Sequence, residues 1–443
     1  MIPPYERPPS PVPAQFPGVA AEPAAATPAA DLEWRSFISE PRLARLVELA
    51  LANNRDLRVA ALRVEQSHAQ FQRTRSGLFP QLDLRTAYSE QRTSGGPGGA
   101  DVTLKSASLT AGVSAYELDF FGRVRSSNEE ALQQYFETEE AQRSAHVGLV
   151  AEVATQYFAL REAEEQLALA RQTLELVNDS YRLNKASFDA GEIDELDLRT
   201  AEGQVKSAEV NVLTYERQAT QAEDQLVLLL GAPLPADLPP AAPFGDDVLA
   251  DIPAGLPADL IERRPDILAA EHTLLAANAN IGVARAAFFP SISLTGSVGR
   301  TSDALGSLLG SGLRITSFAP QLSLPLFNAG SNRANLTAAQ AGKEIEVANY
   351  EHAIQTAFRE VADALIAAST YALEIDAQQA AIAAQTRRLT LADARYRQGD
   401  DRYLTVLLAQ QDLYSAQQAR LRAVANRASS QIALYRALGG GWQ

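Results

Sequence analysis

Four histidines, His68, His146, His272 and His352, are the side chains best suited to hold a metal or move a proton, and none has a partner at ligand spacing. The 443 residues include no cysteine, which excludes thiolate nucleophiles, cysteine-held metals and disulfides. Gly342-Lys343 lacks the preceding glycine and following hydroxyl of a phosphate-cradling loop, so ATP use is not expected. Glu262-Arg263-Arg264-Pro265-Asp266 gathers charge densely enough to look catalytic. Proline in a first helical turn and aspartate beside the positive helix end explain it better as a helix start. Arg263 and Arg264 are then expected to tie strand, helix and neighbouring subunit by charge pairs. The remaining cluster is acidic: Asp189, Glu192, Asp194, Glu195, Asp197 and Glu202 face the lone base Arg199, and Asp400 and Asp401 stand in a second such place. Solvated helix ends account for this pattern; the sharper reading is an entrance that favours cations and docks a partner. No catalytic residue, metal or cofactor is expected.

What would position such groups is set first by composition. A net charge of −15 and a pI near 4.9, without a Lys/Arg cluster, disfavour nucleic acid. The longest apolar runs, such as Leu226 to Leu230, fall far short of the ~20 residues a membrane-spanning helix requires. If the chain crosses a membrane, it must do so with strands. The first thirty residues hold nine prolines and lack the basic start and apolar core of a cleavable signal. They read as an extended tether lying over a surface.

The chain is internally duplicated. Residues 123 to 231 and 331 to 439 align at a constant offset of 208: Arg125 falls on Arg333, Glu152-Val153-Ala154 on Glu360-Val361-Ala362, Gly191 on Gly399 and Leu230-Gly231 on Leu438-Gly439. Upstream the offset is 210, where Leu78-Phe79-Pro80 meets Phe288-Phe289-Pro290. In each half a short helix leads into alternating strands. Glu40 to Leu51 and Asp56 to Arg75 read as helices. Leu82, Leu84 and Tyr88 alternate with polar neighbours, Thr93 to Ala100 form a glycine-rich turn, and Leu109, Ala111, Val113 and Ala115 form the return strand. In the second half Ile292, Leu294, Gly296 and Val298 oppose Ser291, Ser293, Thr295 and Ser297. Phe318, Leu322, Leu324 and Leu326 return, with Pro320 and Pro325 expected at a bulge or at strand ends.

After each hairpin come proline-free stretches with a heptad period: positions 150, 153, 157, 160, 167 and 174; positions 354, 358, 361, 365, 368, 375, 382 and 389; and positions 205, 208, 212, 215, 219, 222, 226 and 229. A sustained period of about 3.5 predicts helices wrapped along one another. The first would run from Arg123 to Phe188, roughly 100 Å at 1.5 Å per residue. Asp189-Ala190-Gly191 and Gln398-Gly399-Asp400 place glycine where such helices would turn back. Four strands cannot close a barrel, since small membrane barrels have about eight. Two copies would give a lumen filled by side chains. Three would give twelve strands and a wet bore, which suits the serine and threonine face.

The segments Tyr116-Glu117-Leu118-Asp119-Phe120-Phe121-Gly122-Arg123, Pro253-Ala254-Gly255-Leu256-Pro257, Glu262-Arg263-Arg264-Pro265-Asp266, Ala286-Ala287-Phe288-Phe289-Pro290-Ser291 and Ala437-Leu438-Gly439-Gly440-Gly441-Trp442 resemble the outer membrane factor family. The likeness is to the lipoprotein branch that serves resistance-nodulation-division drug efflux pumps in Gram-negative bacteria, and it covers essentially the whole chain. It implies an α+β fold: a homotrimer with a 12-stranded transmembrane β-barrel, four strands per chain, continued by a 12-helix periplasmic α-barrel with a small mixed equatorial region. A periplasmic adaptor, an inner membrane transporter and outer membrane lipid would be its partners. The expected order is a tether (1–39), short equatorial helices (40–79), a first β-hairpin (80–121), a first helical hairpin (122–231), a linker (232–265), a second short helix (266–289), a second β-hairpin (290–327), a second helical hairpin (328–439) and the C-terminal end (440–443). Relatives begin with a lipid-bearing cysteine shortly before the Ile-Pro-x-Tyr motif, here Ile2-Pro3-Pro4-Tyr5, so the resemblance implies an acylated residue in the native form.

In that family the helix tips form an iris that is shut at rest, often by acidic residues. Carried onto this chain, the iris is Gly399 to Asp412 with Gly191 to Glu202, and its gate residues are Asp197, Asp400, Asp401, Leu404, Leu408, Gln411 and Asp412. Gly191, Glu192, Asp194, Glu195 and Gly399 are the expected adaptor contacts. Where relatives show aspartate in a Tyr-Leu-x-x-x-Asp-Ala-Gln pattern, this chain has Leu408. Leu404 and Leu408, one turn apart, would then make an apolar constriction. The resemblance implies a passive exit duct. Neighbouring readings are the exit of a protein-secretion or metal-efflux system and, from another class, a soluble coiled-coil scaffold.

Overall fold

The computed structural model of the chain describes residues 1–16, 33–94, 99–245, 247–250 and 263–441. Its described helices are α1 (Trp34–Phe37), α2 (Pro41–Asn53), α3 (Arg55–Ser76), α4 (Arg123–Asp189), α5 (Glu195–Leu230), α6 (Pro265–Ala286), α7 (Ser331–Arg397) and α8 (Tyr403–Ala437). The strands β1 (Leu82–Thr93) and β2 (Val102–Glu117) precede α4, and β3 (Ser291–Ser302) and β4 (Leu313–Ser323) precede α7. Pro253 to Pro257, Glu262, Trp442, most of the proline-rich tether and the centre of the glycine-rich turn lie outside the described residues. Contacts gather into two compact units. One comprises Met1–Pro9, Leu62–Glu139 and Ala269–Glu351, the other Ser10–Ala61, Glu140–Leu268 and His352–Gln443.

The first unit holds one antiparallel sheet in the order β1-β2-β3-β4, so that β2 and β3 join the two halves of the repeat and β1 and β4 are edges. Two sequence expectations are corrected here. Ala115 does not continue the alternation of β2: it takes a left-handed φ of 54° at a register shift between Val113 and Tyr116, and its N–H leaves the ladder for the Thr295 hydroxyl at 3.0 Å. Pro320 marks neither bulge nor end. It sits inside β4 opposite Leu294, on a strand that has a neighbour within the chain on one side only; Pro325 follows the strand end at Ser323. Beneath the sheet residues, α6 carries the start of the chain. Glu271, nearly buried, accepts from Tyr5 at 3.0 Å and from Arg7 at 2.9 and 2.7 Å, and Asn278 donates to the Pro3 carbonyl at 3.0 Å.

In the second unit α2 opens on Pro41 and buries Leu43, Leu46, Val47 and Ala50 against Val150, Val153 and Tyr157 of α4, Leu226 and Leu230 of α5, and Ile432 and Tyr435 of α8. Phe37 stacks on Tyr435 with ring centroids 4.6 Å apart. Buried Glu40 and Tyr157 satisfy each other: the Tyr157 hydroxyl donates to Glu40 at 2.6 Å, which also accepts the Ala242 amide at 3.0 Å. Burial first, then the hydrogen bond to Glu40 and its charge, raise the Tyr157 phenol above its ordinary pKa.

The heptads are borne by the expected positions in α5 and α7. Val205, Ala208, Leu226 and Leu229 are buried, and Ala368, Ile375, Ile382 and Leu389 are half-buried with mostly exposed neighbours. In outer α4 the fully buried seam differs from the expected Leu167 and Leu174. It runs through Ala163, Gln166, Ala170, Val177 and Asn184, the two leucines being half-buried beside it. Small and polar residues take the centre because α7 and α8 both press on this stretch: Tyr396 bonds Asn184 at 3.0 Å, and Gln166 reaches the Gln418 carbonyl at 3.3 Å. At the end of α5, Gly231 adopts φ 63°, and a Cβ there would lie 2.5 Å from the Asn53 carbonyl oxygen, so only glycine fits.

Candidate channel lining and gate

The strand register turns alternation into two chemically distinct sheet faces. Leu82, Val113, Gly296 and Phe318 lie in one line across the four strands, and Asp83, Gly112, Ser297 and Ser317 in the next. The first face continues with Leu84, Ala111, Val298, Leu294, Ile292 and Leu322 and ends towards the connections in charge, where Lys105 meets Glu90 at 3.5 Å. The second carries Arg85, Ser89, Ser108, Thr110, Ser293, Thr295 and Gln321. Leu82, Leu84 and Phe318 are each more than 70% exposed, an apolar area that water would not tolerate uncovered. A sheet with one oily and one hydrophilic face suits a wall between lipid and an aqueous bore. Leu84→Arg, at the middle of the apolar face, is expected to destabilise folding in lipid by about 2–4 kcal/mol, whereas Ser89→Arg on the other face leaves it nearly unchanged. Urea titration in lipid vesicles checks this, and equal losses at both positions would refute the assignment of faces.

The helix tips belong to the second unit. Both hairpins close by the same device: Gly191 at φ 78° and Gly399 at φ 80°, with Glu192 N–H bonded to the Ser187 carbonyl at 2.9 Å and Asp400 N–H to the Arg395 carbonyl at 3.0 Å. Across the tip, Ala201, Ala392, Tyr403, Val406 and Ala409 form a small core. This fixes the rotation of α8 and leaves Leu404, Leu408 and Gln411 on one exposed face at i, i+4 and i+7, with Leu404 52% and Leu408 44% exposed. Asp412 beside them is ion-paired with Arg388 of α7. Sequence reading missed Arg388, Arg395, Tyr396 and Asn184, whose pairing across helices no local pattern announces.

Most of the acidic residues already have local work. Asp194 caps α5 through the Asp197 amide at 3.0 Å, Glu195 and Glu202 flank Arg199 at 3.3 and 2.7 Å, and Lys185 meets Asp189 at 3.6 Å. Burial, then the charges of Asp197 and Glu192, push the Tyr396 phenol up. Glu192 and Asp400 are exposed. Asp401 accepts from the Thr405 hydroxyl at 2.9 Å and the Arg402 amide at 2.8 Å, and these bonds, with Arg395 nearby, hold its carboxyl below the usual range. A depressed carboxylate stabilises the tip fully above its ordinary pKa of about 3.9 and loses that contribution as pH falls through the lowered value. Amide exchange over Arg402–Thr405, corrected for intrinsic rates, is therefore expected to accelerate on acidification. Asp401→Asn should abolish that pH dependence; an unchanged profile would remove Asp401 from the cap.

At the opposite end of α8 a buried cation ties three elements. Arg264 donates to Asp266 at 2.7 and 2.9 Å, to Glu360 of α7 at 2.6 Å and to the Ala437 carbonyl at 2.9 Å. Burial works against its charge, but the bonds to Asp266 and Glu360 outweigh it and raise its pKa. These partners bear out the expected tie to helix within the chain. The first half preserves one strand of this knot. Asn54, 210 residues earlier, donates to the Leu229 carbonyl at 2.8 Å, 208 residues before Ala437. Among the histidines, His272 bonds Gln133 at 2.7 Å and burial lowers the pKa of His146.

The family model described as outer membrane efflux protein matches residues 46–232 and again 256–440, once per half. The toluene efflux pump outer membrane protein TtgC of Pseudomonas putida is 44% identical over 450 residues, covering all of this chain and 92% of that protein. The solved structure of a membrane protein from Pseudomonas aeruginosa superposes with a TM-score of 0.91 at 43% identity, covering 100% of this chain and 98% of the other. The open-state MtrE outer membrane channel of Neisseria gonorrhoeae gives 0.90 at 39% identity, covering 100% and 98%.

Proposed function

The chain belongs to the outer membrane efflux protein family, and from that premise we propose that it is the exit duct of a tripartite pump of the resistance-nodulation-division type. It lies in the Gram-negative outer membrane and extends into the periplasm. Three copies close a barrel of twelve strands and a tube of twelve long helices, and cargo passes from an inner membrane transporter and a periplasmic adaptor to the exterior. The duct does no chemistry of its own: energy and most of the selectivity come from the partners.

The observation that carries this reading is the sheet, with an apolar and a hydrophilic face and two unpaired edges. An open edge on an exposed apolar strand invites aggregation unless another strand covers it. Edge pairing between copies removes both edges and seals the oily face against lipid at once. None of the described helices is long and apolar enough to cross a membrane. The names of the relatives point to toluene, other solvents and antibiotics as the cargo to test first.

The iris residues are assigned as follows. Leu404 and Leu408 narrow the bore, with Gln411, Asp412, Asp400, Asp401 and Asp197 around them. The turns at Gly191, Glu192, Asp194, Glu195 and Gly399 meet the adaptor. Expression in a strain that has a pump but lacks its outer membrane channel tests the reading. Restored resistance to toluene and dyes, together with pore activity of the purified protein in planar bilayers, is expected. A protein that stays monodisperse in plain buffer and forms no pore would be a scaffold instead.

A further inference from the structure

The knot around Arg264 has a counterpart in the first half that lacks its cation. Subtracting the repeat offsets from its four members, Arg264, Asp266, Glu360 and Ala437, gives Asn54, Asp56, Glu152 and Leu229. All four line one cavity of about 700 Å³, which also takes in Gly148 and Leu149 of α4 and Ile432 of α8. Around the filled knot the open space is only about 330 Å³. Asn54 is too short to do what Arg264 does. Its amide reaches the Leu229 carbonyl at 2.8 Å and its side-chain oxygen accepts the Leu57 amide at 2.9 Å, so it caps α3 and reaches no further. Asp56 and Glu152 hold the repeat positions from which Asp266 and Glu360 bind a guanidinium at 2.7, 2.9 and 2.6 Å. Neither carboxylate has a partner of its own among the described residues.

We infer that this cavity binds an organic cation with a planar guanidinium or amidinium head and a small apolar body. Two observations beyond the acidic pair itself point to such a ligand: the equivalent carboxylates of the second half already hold that head, and the room it would fill is open in the first half. A fork of N–H donors matches carboxylate oxygens in number and direction. The head lies between Asp56 and Glu152, and the body rests on Leu57, Leu149 and Ile432. Arg436, the one basic residue on the wall, is exposed and pairs with neither acid, so no side chain among the described residues occupies the seat. Both carboxylates are exposed, and pairs of that kind are weak. Loose binding suits a place that a cation passes through and must leave.

The position of the cavity on α4 says where that cation travels. Gly148, Glu152 and Thr155 line it at i, i+4 and i+7, roughly opposite Val150, Val153 and Tyr157, which pack under α2. A tube wall that carries α2 on its outside turns the cavity towards the bore. The use of the site as a stop for cationic cargo therefore rests on the proposed exit duct, whereas the binding itself rests on the cavity and its carboxylates alone.

Benzamidinium is the probe and benzamide its neutral control, with equilibrium dialysis against the purified full chain in detergent as the measurement. Benzamidinium is expected to bind and benzamide is not. Asp56→Asn with Glu152→Gln should weaken binding about ten-fold, since it removes both pairs and disturbs no packing. Gly148→Leu keeps both charges and plugs the space: a Cβ there meets nothing within 4 Å, and a helix interior gains from losing glycine. It should abolish binding, as should Asn54→Arg, which supplies from within the chain the guanidinium that the second half already has. Equal affinity in the wild type and in either the carboxamide or the plugged variant would overturn the site, and so would a wild type that binds no probe. In planar bilayers benzamidinium should partly block the single-channel current, and the carboxamide variant should relieve the block. Block that persists in that variant would take the site off the cargo path. A protein that binds the probe at this cavity but forms no pore would overturn the duct and leave the binding site standing.

Discussion

Arg264→Ala is expected to lower stability by about 3–5 kcal/mol, because it strips a buried guanidinium from a paired network and leaves its partners behind. The Ala437 carbonyl loses its donor, and Asp266 and Glu360 face each other with no cation between them. The side chain is only 8% exposed, so water is poorly placed to replace it. The duplication supplies its own control. Asn54 holds the equivalent carbonyl without a guanidinium, so Arg264→Asn should keep that one bond and lose less than Arg264→Ala. Arg264→Met combined with Glu360→Gln removes one of the two stranded charges and should recover part of the loss, since apolar replacement of a buried pair is often tolerated. Denaturant unfolding of the detergent-solubilised protein gives the ranking. Equal losses in the alanine and asparagine variants would mean that the carbonyl bond contributes nothing.

That knot also shows where sequence reading succeeds and where it stops. Helix starts, heptads and hairpin closures are local properties, and duplication doubles each signal: Gly191 and Gly399 explain each other, as do Pro80 and Pro290. Arg264 was legible as a pairing residue, but the identity of Glu360 was not, because 96 residues separate them. Pro320 was misplaced for a related reason. Whether proline fits inside a strand depends on which side of that strand is paired, which topology decides. In outer α4 the period was right and the phase wrong. A heptad stripe identifies a face, but where two further helices converge the centre of the seam falls to alanine and asparagine, residues that hydrophobicity does not flag. The tip pairs are illegible on the same ground. Arg388 and Asp412 sit on different helices and become neighbours only when both have been phased by the core around Tyr403 and Ala409.

Leu404→Ser with Leu408→Ser is expected to raise single-channel conductance in planar bilayers several-fold. The core of the tip holds α8 by Tyr403, Val406 and Ala409, so the two leucines project from the opposite face and their replacement leaves the packing intact. Three copies around an axis would bring six leucine side chains together, and a ring of that kind resists filling by water even where a hydrated ion would fit. Serine removes the apolar surface and much of the bulk, so water and ions enter. The acidic alternative gives a different signature. Were Asp400 and Asp401 the constriction, neutralising both would change cation preference and conductance together, while the leucine variant would do little. Leu196, the repeat equivalent of Leu404 and 73% exposed, separates the two tips. Leu196→Ser should have a smaller effect if α8 rather than α5 lines the bore. Unchanged conductance in the double variant would remove both leucines from the gate. Equal gains from Leu196→Ser and Leu404→Ser would place both tips at the constriction.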